Sequence, residues 1–193
     1  MKKILLSLLI LCSLLILTSC KGEKDMKVVI ELQDGREIRI ELYEDIAPIT
    51  VKHFLKLVDQ NYYENVVFHR VIANFMIQAG GYAIKDGSLV ETANVDSIKG
   101  EFSSNGVKND LKHTPGVISM ARTNVNDSAS SQFFICSAES PHLDGKYAAF
   151  GKVIDQESLN VVLSISFVET SNFYGILPNF PVEPVVIKTI KRM

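Results

Sequence analysis

From Lys27 onward the apolar positions come in short runs whose spacing switches between a two-residue and a three-to-four-residue period. Val28 to Leu32 and Ile38 to Leu42 read as strands, and Gln33-Asp34-Gly35-Arg36 between them carries Asp-Gly, a strong hairpin signal. Pro48 then sets a helix start, with Val51, Phe54, Leu55 and Val58 on one face. His53 among them is expected to be a surface or packing residue. Asn61 to Asn65 breaks the helix, and a strand pair follows in FHRVI and FMIQAGG, closed by Gly80-Gly81. Gly87 to Lys112 is polar and aperiodic, which predicts a long excursion across the surface. His113 to Gly116 reads as a turn, Val117 to Ala121 as a strand, and Thr123 to Ser131 as a polar loop. SQFFICS is the next strand, Pro141 to Gly145 a turn, and Tyr147 to Ile154 re-enters the sheet. Leu159, Val162, Leu163 and Ser166 predict a second helix ending by about Val168. Ser171 to Pro184, rich in Pro, Gly and Asn, reads as an irregular connection before a last strand over Val185 to Ile190.

Two stretches combine this alternation with chemistry. In FHRVI it sets Phe68, Arg70 and Ile72 on one face and His69 and Val71 on the other. A guanidinium buried unpaired would cost several kcal/mol, about the penalty of an isolated charge, so Arg70 must lie at a solvent-reached rim. In MIQAGG Met76 pairs with Gln78 on one face, and in SQFFIC Gln132 pairs with Phe134. The result is a groove with an apolar hole, two amides and one fixed cation, better suited to a peptide than to a charged metabolite.

Taken with GVISMAR and LDGKYAAFGKV, the stretches FHRVI, NFMIQAGG and SQFFICSA resemble the cyclophilin family of peptidyl-prolyl isomerases from about Lys27 to Arg192. The resemblance implies a mainly β fold, a closed eight-stranded antiparallel barrel capped by two α-helices. It implies rotation about Xaa-Pro peptide bonds, with proline-containing peptides and unfolded client proteins as partners and no cofactor or metal. Arg70, Phe75 and Gln78 match the catalytic positions. Phe75, Met76, Phe134 and Leu143 match the pocket for the proline ring, and Gln78, Ala121, Arg122 and Gln132 the positions that bind the peptide backbone. Three positions depart from the best-known eukaryotic pattern: His142 stands for a common tryptophan, Tyr147 for a histidine and Arg122 for an asparagine. His142 and Tyr147 are therefore expected at the rim of the substrate site, and cyclosporin is expected to bind weakly. A peptide-binding module without catalysis is the alternative, against which Arg70 counts. A ligand-carrying barrel would need an open lumen, which Phe133 and Ile135 are large enough to fill.

The N-terminus stands outside this pattern. Lys2 and Lys3 precede an apolar run from Ile4 to Leu17, too short for the roughly 17 to 25 residues of a spanning helix, and LTSC follows. The layout reads as a signal over residues 1–19 and resembles a bacterial lipobox, which implies a lipidated Cys20. Residues 20–26 would then tether a 27–193 domain, expected as a monomer, to a bacterial envelope membrane, facing the periplasm or the outside. An ordinary cleaved signal containing Cys20 is the alternative.

Composition excludes more than it identifies. Without Lys2 and Lys3 the chain has 18 basic and 22 acidic residues, hence a formal −4, and no basic cluster larger than Lys188 to Arg192, so no nucleic-acid partner is expected. Four isolated histidines show no metal-ligand spacing, GxSxG is absent, and Gly80-Gly81 lacks the Lys and helix of a phosphate loop. Cys136 has no base beside it in sequence and reads as a packing residue.

Overall fold

A computed structural model describes residues 26–173 and 177–193. The segment predicted as signal, Cys20 and all of the predicted tether except Met26 lie outside the described residues. Eight strands form one antiparallel sheet: β1 (Lys27–Leu32), β2 (Glu37–Leu42), β3 (Arg70–Ile72), β4 (Met76–Ala79), β7 (Val117–Met120), β8 (Phe133–Cys136), β9 (Ala149–Val153) and β12 (Ile187–Arg192). Their order is β12-β1-β2-β9-β7-β8-β4-β3. The predicted first hairpin is present, with Gly35 at a φ of 89° in its turn.

The sheet curls into a barrel whose ladder does not close. Where β3 and β12 would meet, the described residues make one isolated bridge, Val67 with Val186, just ahead of both strands. It is framed by the Phe68 N–H donating to Val185 O (3.0 Å) and the Ile187 N–H donating to Val66 O (2.7 Å). The expectation of a fully closed barrel is corrected to this stitched seam. The remaining edge of β3 is covered instead by an antiparallel pair, β10 (Thr170–Phe173) and β11 (Leu177–Pro181), with β11 packed against β3. This pair replaces the irregular connection predicted over 171–184. Across the pair the Phe173 and Phe180 ring centroids sit 4.8 Å apart, with Phe180 buried.

Helices α1 (Pro48–Asp59) and α2 (Gln156–Ser166) cap the barrel. The predicted face of α1 is buried, and Phe54 packs against Tyr63, Phe133 and Phe150 with ring centroids 5.3 to 5.6 Å apart. Ala47 cannot cap that helix, so the carboxylate of Glu101 does. It accepts the Ile49 and Thr50 N–H groups at 3.1 and 2.7 Å and the Thr50 hydroxyl at 2.7 Å. Asp155 caps α2 by accepting the Ser158 N–H at 2.7 Å.

The predicted surface excursion is therefore anchored. After a further antiparallel pair, β5 (Tyr82–Lys85) and β6 (Ser88–Glu91), the chain buries Glu101, Phe102 and Asn109. Asn109 Nδ2 donates to Glu101 O and Ala149 O at 2.8 and 2.9 Å.

The core divides into two clusters on opposite faces of β4 and β8. Ile77, Phe133 and Ile135 point into the main core and fill the lumen, while Met76, Phe134 and Cys136 form a smaller cluster with Leu143.

Candidate active site

The β3–β4 turn presents the site. Asn74 takes a left-handed conformation (φ 55°), which Asn tolerates, and Phe75 follows with its N–H donating to Ile72 O at 3.2 Å. Across the ladder Arg70 faces Gln78, and Gln78 faces Phe134. Arg70 Nη1 donates to Gln78 Oε1 at 3.3 Å, and Gln78 Nε2 donates to Gln132 Oε1 at 2.8 Å. The guanidinium and both amides thus form one chain along the groove.

The alternation predicted for FHRVI holds from Arg70 to Ile72 and fails at Phe68. Phe68 is fully buried in the main core with Val71, because the chain is not yet in the ladder at residues 68 and 69.

Beside that polar chain lies a hollow lined by Arg70, Phe75, Met76, Gln78, Ala121, Arg122, Phe134, Leu143 and Tyr147. Met76, Phe134 and Leu143 are buried and make its apolar floor, against which Phe75, Ala121 and Tyr147 pack. Two residues expected at the site stand outside this lining. Gln132 belongs to a neighbouring hollow with Thr123, Ser128 and Ser130, which shares Gln78, Ala121 and Arg122 with the first. His142 is exposed and lies on Phe75, with ring centroids 5.3 Å apart.

The floor rests on groups that the sequence pattern does not reveal. His113 is buried and stacks on Phe134 at 6.0 Å. Its ring nitrogens lie 3.1 Å from Asp144 Oδ1 and 3.1 Å from Ser119 Oγ. Burial lowers its pKa, with Asp144 opposing. This Asp-His-Ser chain has the connectivity of a hydrolase triad, but His113 and Ser119 are 1% and 0% exposed, so no substrate reaches the hydroxyl. Asp144 also accepts the His113 N–H at 2.9 Å and so ties the turn Pro141–Leu143 to the chain that leads into β7.

His69 is likewise buried, beneath Gln132. Burial pushes its pKa down to about 4, opposed by the Val67 backbone and then by Gln132. Gly80, at a φ of 98°, lets the strand end approach closely: a Cβ there would stand 2.4 Å from Ser131 O. The Cys136 thiol, raised to about 12 chiefly by burial, is inert packing.

Phe102 was also out of reach of the sequence pattern, although a lone aromatic in a polar stretch is a signal for an anchor. The Arg122 guanidinium lies 5.0 Å from its ring centroid and 4.8 Å from that of Tyr147. Among the described residues no cluster of His, Cys, Asp and Glu could hold a metal.

The chain is similar to proteins of known family. The family model for cyclophilin type peptidyl-prolyl cis-trans isomerase matches residues 27–192. A peptidyl-prolyl cis-trans isomerase of Acinetobacter baylyi is 45% identical over 159 residues, covering 80% of this chain and 79% of that protein. Peptidyl-prolyl cis-trans isomerase A of Dickeya dadantii is 39% identical over 159 residues, covering 80% and 78%. A crystal structure of a Cryptosporidium parvum cyclophilin type isomerase, obtained in the presence of the dipeptide Ala-Pro, superposes with a TM-score of 0.69 at 29% identity, covering 86% of this chain and 98% of that one. With a family model spanning the whole described barrel and relatives of this identity, the chain belongs to the cyclophilin-type peptidyl-prolyl cis-trans isomerases.

Proposed function

We propose that Arg70 is the electrostatic element of this isomerase and that the apolar hollow holds the prolyl ring. Rotation about a peptide bond must cross a barrier of about 18 to 20 kcal/mol because it destroys amide resonance. No proton leaves and no covalent bond forms, so neither a nucleophile nor a general base is needed, and His142 serves as rim. As the amide twists, the prolyl nitrogen regains a lone pair. The Arg70 guanidinium can then donate to it, a hydrogen bond the planar ground state cannot accept. A charge-assisted bond of about 1.5 to 3 kcal/mol present only in the twisted state gives roughly ten- to a hundred-fold in rate. The remainder comes from Phe75, Met76, Phe134 and Leu143 holding the ring while Gln78, Gln132 and the backbone around Ala121 and Arg122 hold the peptide.

One observation carries this reading: Arg70 is half-buried at the edge of an apolar hollow, aligned by Gln78, and no carboxylate among the described residues neutralises it. Arg70→Ala should cut turnover of a prolyl peptide ten- to a hundred-fold while peptide affinity falls far less and thermal unfolding stays near wild type. Arg70→Lys keeps the charge but loses the planar fork and should also be badly impaired. Retention of more than about half of the activity by Arg70→Ala would remove the transition-state role.

We also propose that Cys20 is the lipidated N-terminus of the mature protein, on the strength of LTSC after the apolar run. The isomerase would then act at the bacterial envelope on proline-containing segments of unfolded client proteins. Uncatalysed prolyl isomerisation takes tens to hundreds of seconds, slow enough to limit the folding of a chain exported unfolded. Mass spectrometry of the membrane fraction should find a mature chain beginning at acylated Cys20. Finding residues 1–19 intact, or Cys20 unmodified, would end that part of the reading.

A further inference from the structure

The chain has five arginines, and they divide by position. Arg36, Arg39 and Arg192 are each paired with carboxylates on the outside of the barrel. Arg70 and Arg122, which line the hollow, have no carboxylate within 4.0 Å among the described residues. An acidic protein has thus gathered unneutralised positive charge at its peptide groove.

Arg122 is also held for display. Its Nε donates to Lys146 O at 3.0 Å and its Nη1 to Thr123 O at 2.8 Å, and the rings of Phe102 and Tyr147 flank the guanidinium. These contacts fix the group in place. They use two of its five N–H donors, and Nη2 donates to nothing among the described residues. Among the described residues no nearby hydroxyl accepts from it. Thr123 Oγ1 donates to Ser128 Oγ at 2.8 Å, and Ser128 Oγ donates to Val125 O at 2.7 Å. Arg122 borders both hollows, so its free edge lies beside the path of a peptide whose proline occupies the first.

From this geometry we infer that Arg122 is a specificity-determining residue that selects substrates carrying a carboxylate side chain, Glu or Asp, close in sequence to the isomerised proline. The inference rests on the reading of the apolar hollow as the prolyl site. Substrate carboxylates replace the counter-ion that the fold omits, and the pre-ordered guanidinium loses little freedom on accepting one. Because the group is half-exposed, the selection is modest, about three- to ten-fold, and weakens with salt.

The test uses the full-length protein and a set of prolyl peptides in which Glu or Gln occupies, in turn, each of the two residues on either side of the proline. Exchange NMR reads isomerisation without a coupling protease, and fluorescence anisotropy reads affinity. At one of these positions the Glu peptide should exceed its Gln twin about three- to ten-fold in kcat/KM and in affinity. The ratio should fall to about one in Arg122→Gln, persist in part in Arg122→Lys, and shrink at 0.5 M NaCl, on the order expected for a screened pair. It is taken within each variant, so a general loss of activity does not blur it. A Glu-to-Gln ratio near one at every position, or a ratio that Arg122→Gln leaves intact, would overturn the inference. Should the wild type isomerise no peptide, the catalytic reading would fail, and the affinity ratio would still decide this one.

Discussion

Phe133 and Phe134 are adjacent, chemically identical and both buried, yet they serve different parts of the molecule. Phe133 points into the barrel, where it meets Phe54, Tyr63 and Phe68 edge-on at 5.5 to 6.5 Å and belongs to the main core. Phe134 points outward into a cluster of four buried residues and forms the floor of an open hollow between His113 and Tyr147. The same division runs through β4, where Ile77 faces the core and Met76 and Gln78 face the groove. One face of a strand pair carries stability and the other carries chemistry, because a two-residue period lets neighbours face different environments. Function could be built on the outer face without disturbing the packing that keeps β4 and β8 in register.

Several changes would break or sharpen this comparison. The largest effect belongs to Phe133→Ala, which leaves a cavity in the closed core and should cost about 3 to 5 kcal/mol, measured by denaturant unfolding. Phe134→Ala opens onto a hollow that already exists. It should cost about 1 to 2 kcal/mol, below the usual cost of truncating a buried Phe, but lose most activity on prolyl peptides. Equal losses of stability for the two would refute the division of labour.

Acid should act next, through His69 at the joint between the faces. Its folded pKa of about 4 lies below the usual 6.5, so the unfolded chain binds more protons between those values. Stability contributed by neutral His69 is fully present above pH 6.5 and is lost as pH falls toward 4. The loss is on the order of 2 to 3 kcal/mol by linkage. His113, also lowered by burial, acts in the same direction. The carboxylates held low by their partners, such as Asp34 beside Arg36 and Asp59 beside Arg192, lose their contribution only at more acid pH. Unfolding curves at pH 7 and 4.5 should therefore separate, and His69→Gln should narrow the gap. An unchanged gap would remove His69 from the account.

The smallest effect concerns the rim. His142 covers Phe75 only from the exposed side, so the site lacks a large aromatic wall there. Cyclosporin should bind weakly, and His142→Trp should tighten it about ten-fold if one aromatic contact of about 1 to 3 kcal/mol is restored. Titration calorimetry with both proteins checks this.

Local rules alone determined much of the protein. Asp34-Gly35 placed the first hairpin, the spacing of Val51, Phe54, Leu55 and Val58 placed α1, and the alternation in MIQA and QFFIC separated core from groove. These signals are legible because each depends on neighbours within one turn or one pleat. The family motifs named the groove residues, and the structure gathers all of them around the hollow except Gln132, one hollow further on, and His142, on its rim. What only the tertiary structure decided are pairings between distant residues that leave no periodic trace. Glu101 caps a helix more than fifty residues upstream, and Phe102 props Arg122. His113, Ser119 and Asp144 lock the floor, and β10 and β11 form where composition predicts a loop. The barrel seam is the clearest case. Whether β3 pairs with β12 or is covered by β11 depends on which long-range contact buries more apolar surface and satisfies more N–H groups, and neither quantity exists until the chain has folded.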